Sequence, residues 1–275
     1  MPEENKNILY ILLILALFTG ATIEMSEGSA LAGIVLILLA VLVFTRLQIT
    51  SSASAKNSYI YALIGVVMII ADVAYNLQAL NQLGTLDTMV FFLGASLVVY
   101  GLNIQQFAKL GEFGIYISAS FLFLFIIFYS TFGALNIDFL HLFDHYFVLL
   151  PTVSVIKLFG IPVEVVATET VQLGGVVPMT IVIGGPCSGL YSMFLLIGIV
   201  FGYSRIEKME LNKTLALLGV AVVVAYISNL VRVIILYITA FYYGLDTMMV
   251  VHTHLGWIIF AAVAGSIMFL LEKYR

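Results

Sequence analysis

Ile183-Gly184-Gly185-Pro186-Cys187-Ser188-Gly189-Leu190-Tyr191-Ser192 carries the only cysteine of the 275-residue chain, where a glycine-rich approach gives way to the apolar run Met193 to Tyr203. Gly-Gly-Pro cannot continue a preceding helix. Proline does suit the first turn of a new one, where its missing N–H costs no hydrogen bond. The pattern therefore predicts a helix that begins near Cys187. Unpaired amides and the positive end of the helix dipole favour a thiolate there, the form that a nucleophilic cysteine needs. A lone cysteine in an apolar chain is otherwise a small buried hydrophobe. The choice between the two readings turns on which other residues reach the same place.

Composition narrows the class of protein first. With 63% hydrophobic and 9% charged residues and a mean hydropathy of +1.15, the apolar side chains exceed what a water-soluble core can hide. The chain reads as an integral membrane protein. A formal net charge of -4 with no basic run excludes nucleic acid as a partner. One cysteine excludes an internal disulfide and any Cys-x-x-Cys metal knuckle, and no cofactor or metal is expected.

Apolar runs of about 20 residues, enough to cross about 30 Å of hydrocarbon, fall at 8–25, 29–47, 58–77, 86–104, 113–133, 187–204, 214–243 and 252–271. The expected fold is thus an all-α polytopic membrane protein of about eight transmembrane helices. Ile8 onward reads as a retained span rather than a cleaved signal peptide, since no small-x-small cleavage pattern follows it. With the N-terminus cytoplasmic, the inner segments hold Lys6, Arg46, Lys56, Lys109, Arg205, Lys208, Lys213, Lys273 and Arg275, and the outer side only Lys157 and Arg232. That bias satisfies the positive-inside rule, and the opposite orientation inverts it. Both termini are then cytoplasmic in a multi-pass cell-membrane protein.

On this topology Ala134 to Pro186 is the large external element. Leu135 to Phe159 is expected as an amphipathic, membrane-skimming helix interrupted at Pro151, with Asp138, His141, Asp144 and His145 among apolar residues. Val163 to Val171 and Val176 to Ile183 are rich in β-branched residues and flank Gly174-Gly175. They read as a small extracytoplasmic β-hairpin whose second strand leads into Cys187.

Two later segments reach the same side. Asn229 and Arg232 lie three residues apart on one helical face of the seventh span. An arginine inside an apolar stretch needs a partner, a task, or a path along which to snorkel to headgroups. The last span opens with His252-Thr253-His254-Leu255-Gly256-Trp257. A thiol, a guanidinium and an imidazole then converge at one depth, as nucleophilic catalysis requires. Asn229 is either a further donor at such a site or interhelical glue. Tyr191 shares the face of Cys187 and reads as packing.

Pro186-Cys187-Ser188-Gly189-Leu190, Asn229-x-x-Arg232 and His252-x-x-x-Gly256-Trp257, in that order, resemble the motif series of the exosortase and archaeosortase membrane transpeptidases. The resemblance covers about the last half of the chain. It implies 134–275 as the catalytic region; residues 1–133 remain, by their apolar runs, an N-terminal five-span region whose first four spans match no motif. It also implies a cysteine transpeptidase that recognises exported proteins by a C-terminal motif, transmembrane helix and basic tail. Such an enzyme cuts at the motif and passes the new C-terminus to an amine-bearing acceptor, a membrane lipid among the candidates. Carried onto this chain, Cys187 is the nucleophile, Arg232 stabilises oxyanion and thiolate, and His252 is the acid/base with His254 as alternate.

Two other classes compete. A metal-dependent intramembrane hydrolase would use His141 and His145, at i, i+4 spacing, with His252 or His254; but His-Leu-Phe-Asp-His lacks the glutamate of HExxH. A non-enzymatic transporter would use Asp72 and Asn76 as a polar path, although one-turn spacing equally suits helix pairing or the lining of an active-site cavity. Glu164 and Glu169 read as the solvated face of the hairpin.

Overall fold

The computed structural model describes residues 10, 13, 17, 30–44, 59–79, 85–102, 108–135, 137–176, 178–183 and 188–273. Helices dominate it: α1 (Ala30–Phe44), α2 (Tyr59–Ala79), α3 (Thr85–Gly101), α4 (Ala108–Ile126), α5 (Phe139–Phe143), α6 (Leu150–Leu158), α7 (Leu190–Ile206) and α8 (Leu211–Lys273). Among the described residues, four helical stretches are long and apolar enough to cross a membrane: Tyr59–Leu77, Ala108–Ala134, Phe139–Leu158 and Leu211–Leu271. Leu86–Gly101 and Leu190–Ile206 are shorter apolar helices. The polytopic class holds, whereas eight separate spans are not distinguished. The first expected span falls almost wholly outside the described residues.

The last of these stretches is too long for one crossing. Its 61 residues would run about 90 Å at 1.5 Å per residue, some three times the thickness of the hydrocarbon. Gly244, with φ 84° and ψ 176°, interrupts α8 in a region of backbone space essentially reserved for glycine. Along a straight helix Arg232 and Gly256 would be about 36 Å apart. Instead, a Cβ placed on Gly256 would lie 3.2 Å from the Arg232 guanidinium. The chain therefore folds back at Gly244, and α8 consists of two helices that match the seventh and eighth expected runs.

The residues group into two compact units, 1–47 with 129–192 and 223–270, and 48–128 with 193–222 and 271–275. In the second unit, small residues let helices approach closely, as they must where lipid removes the hydrophobic drive between helices. A Cβ on Gly65 would lie 2.4 Å from the Gly94 carbonyl, so α2 and α3 meet backbone to backbone. Phe121 of α4 meets Phe194 of α7 edge to face.

The first unit contains the sheet, which corrects the expected hairpin. Three antiparallel strands, β1 (Val163–Ala167), β2 (Thr170–Leu173) and β3 (Met179–Val182), follow one another in chain order. The first expected strand is folded in two at Thr168-Glu169, with a bulge between Val165 and Ala167, and Gly174-Gly175 falls in the β2–β3 connection. One face of the sheet buries Val163, Val171 and Leu173 in a core shared with Leu149 and Ile156 before it and Leu236 and Ala240 of α8. Spacing of three and four along α8, at Val233, Leu236, Tyr237 and Ala240, supplies that face of the core.

Pro151 does not interrupt the helix before the sheet, contrary to expectation. α5, a π-helical segment Asp144–Leu149 and α6 follow without a break. Proline cannot donate to the carbonyl four residues back, and the wider π turn just before it absorbs the mismatch. Replacing Gly244 by alanine should cost about 1–3 kcal/mol through backbone strain alone, since nothing lies within 4 Å of the added Cβ. A lowered midpoint of thermal unfolding in detergent would register it.

Candidate functional site

Gly184 to Cys187 lie outside the described residues, so the site is built from what holds the chain on the C-terminal side of the cysteine. α7 begins at Leu190, three residues later than its expected start. Leu190 N–H donates to the Ser188 hydroxyl oxygen at 3.3 Å, a side-chain cap on the first turn. Between them Gly189 adopts φ +79°, which an L side chain rarely tolerates.

Asn229 closes over this turn. Its amide nitrogen Nδ2 donates to the Ser188 carbonyl at 2.7 Å, and the residue is only 9% exposed. A Cβ on Gly189 would lie 2.3 Å from Asn229 Cγ. The glycine is thus required twice, by its dihedral and by the amide packed on it. Of the two readings of Asn229, the contact is main-chain positioning of the turn that follows Cys187.

Arg232 follows Asn229 by three residues and shares its face. Its Nε is buried, and the guanidinium lies along Gly256, with Nη2, Cζ and Nε at 3.2, 3.3 and 3.5 Å from the position of an added Cβ. The side chain is directed at the returning helix. His252, half-buried, precedes Gly256 by one turn and shares its face. The Nδ1–H of His254 donates to the Val250 carbonyl of its own helix at 2.7 Å. The described parts of all three motifs thereby form one chain of contacts, from the Ser188-Gly189 turn through Asn229 and Arg232 to Gly256.

Beside the turn, the Tyr191 and Tyr129 hydroxyls are 2.7 Å apart. Tyr129 comes from the π-helical segment Ile127–Thr131, and nothing in the sequence marks it as a partner of a residue 62 positions away. Tyr191, expected to be packing, carries a polar contact.

The remaining sequence candidates serve elsewhere. His141 pairs with Glu169, and its Nε2 lies 3.3 Å from the Asp138 carboxylate. His145 Nδ1 donates to the Thr168 carbonyl at 2.7 Å. The i, i+4 histidine pair thus fastens the β1–β2 turn to the preceding helix, and Glu169 is its counterpart rather than a solvated residue. Glu164 lines a surface cleft of about 500 Å³ with Lys157 and Gln172. Asn76 Nδ2 donates to the Asp72 carbonyl at 2.9 Å, a bond within one helix.

A family model described as transmembrane exosortase matches residues 10–269, nearly the whole chain. No curated protein and no solved structure matches it. The chain belongs to the transmembrane exosortase family.

Asn229→Ala should destabilise the protein by about 1–3 kcal/mol, the cost of leaving a buried carbonyl without its donor. Gly189→Ala should be at least as harmful, because strain and overlap add. Thermal unfolding of the purified chain in detergent compares both with the parent.

Proposed function

We propose that this protein is a cysteine transpeptidase that cleaves a C-terminal sorting signal from exported proteins and transfers the new C-terminus to an amine. The observation that carries this reading is the Asn229 bond to Ser188. It fastens the peptide unit next to Cys187 to the helical face that bears Arg232, whose guanidinium in turn meets Gly256, one turn from His252. Membership of the exosortase family supports the same class of chemistry.

The roles follow from what each group can do. The Cys187 thiolate attacks the scissile carbonyl, and the carbonyl electron pair moves onto oxygen. Arginine stays charged at any pH of interest, so Arg232 cannot act as the base; it stabilises the thiolate and the developing oxyanion. Collapse of that intermediate breaks the C–N bond, with His252 giving its proton to the departing amine and leaving a thioester. An incoming amine, for which a membrane lipid is one source, attacks the thioester carbonyl, gives its proton to His252 and releases the thiolate. His252 is preferred to His254 because it lies one turn before Gly256, on the helical face that meets the Arg232 guanidinium. The lysine and arginine distribution supports cytoplasmic termini and this chemistry outside, with Phe139–Leu158 lying along the membrane rather than across it.

Cells carrying Cys187→Ala or Arg232→Ala should keep a folded protein in the membrane and accumulate exported proteins with their C-terminal helix attached, read by intact mass. Complete processing by Cys187→Ala would refute the mechanism. Arg232→Lys keeps the charge but loses the planar fork, and should slow processing about 100-fold. His252→Ala should abolish processing, while His254→Ala should leave most of it.

A further inference from the structure

β3 forms one side of the sheet and, among the described residues, pairs with β2 alone. The ladder decides which of its backbone groups are used. Ile183 N–H donates to the Glu169 carbonyl at 2.8 Å, and the register sets Ile181 against Val171 and Met179 against Leu173. Hydrogen-bonded pairs alternate along antiparallel strands. The peptide groups of Met179, Ile181 and Ile183 therefore face β2, and those of Thr180 and Val182 face the open edge.

The side chains show separately which face of the sheet is covered. Met179 and Ile181 pack against the core, whereas Thr180 is exposed and Val182 is 65% exposed. Exposed edges are usually blunted by lysine, proline or another charge inside the strand, and Met179-Thr180-Ile181-Val182 contains none of these. An edge of this kind is a template for an added strand, with main-chain hydrogen bonds giving the affinity.

Its position names the occupant. Cys187 follows Val182 by five positions, a reach of at most about 17 Å, and the chain is held again by Asn229 directly after the cysteine. A peptide presented to Cys187 in extended form therefore has this edge within reach of about five of its own residues. β1, the opposite edge, carries Glu164 and emerges from α6 instead.

We propose that β3 is the substrate-binding edge: the extended segment of a protein substrate beside the scissile bond adds as a fourth strand along Thr180 and Val182. This rests on the cysteine-transpeptidase reading and deepens it. Recognition is chiefly of backbone, so it tolerates varied side chains at the positions that alternate along the added strand.

Proline at an edge position removes an outward N–H without breaking the inner ladder. Thr180→Pro and Val182→Pro are assayed in membrane vesicles holding the full-length protein, with the uncut exported protein that accumulates in Cys187→Ala cells as the probe. Each should lower kcat/KM about tenfold or more, mainly through KM. Alkylation of Cys187, the only cysteine, by N-ethylmaleimide should stay within about twofold of the parent. Independently of folding in the proline variants, p-benzoylphenylalanine at position 182 in the Cys187→Ala chain should capture the same uncut protein through residues next to its cleavage point. The same probe at exposed Gln172 on the central strand should not. Proline variants within twofold of the parent, or equal capture from positions 172 and 182, would overturn the edge assignment while Cys187→Ala still blocks processing. Normal processing by Cys187→Ala would instead remove the reading on which it rests.

Discussion

A single hydrogen bond, from the Asn229 amide to the Ser188 carbonyl, decides how the first unit is put together. Helix packing in lipid is driven by close contact and by polar groups with no water to turn to, so one buried amide bound to a main-chain carbonyl fixes register as well as distance. Here it sets the start of α7 against the middle of α8. Everything on the same face of α8 then acquires a defined relation to the Ser188-Gly189 turn. The left-handed Gly189 is the other half of that joint, since no larger residue leaves room for the amide.

The sheet and the helix before it extend this arrangement outward. Two histidines at i, i+4 spacing grip the Thr168-Glu169 turn, and the buried face of the strands rests on Leu236 and Ala240. β3 therefore leaves a core fixed from two sides before it enters the glycine-rich approach to the cysteine.

The approach of Arg232 to the His252–Gly256 segment was legible in the sequence, from one arginine in an apolar run and histidines in the next; the helix starts just after Gly244, before the expected turn at Asp246, and Cys187 lies outside the described residues. The fold-back of α8 was legible too, because the two apolar runs together exceed one bilayer. What stayed hidden depends on main-chain groups or on distant pairing. Asn229 was singled out, yet its acceptor is a backbone carbonyl, which no residue type advertises. The turn at Thr168-Glu169 lacks the glycine, proline or asparagine that marks most hairpins, and the unbroken β-branched run around it read as one strand. The Tyr129–Tyr191 contact and the histidine grip on the sheet span 62, 23 and 28 residues and leave no local periodicity. Pro151 misled because a breaker is recognised by type, while the π segment that tolerates it is set by tertiary packing.

The reversal at Gly244 places Arg232 and Gly256 at equal counts of twelve residues on either side of it. Each residue of helix turns its successors by about 100° and advances them by about 1.5 Å. One residue inserted or deleted between Leu245 and Val251 would therefore rotate the imidazole-bearing face away from the guanidinium, and only an opposite change within the same arm would turn it back.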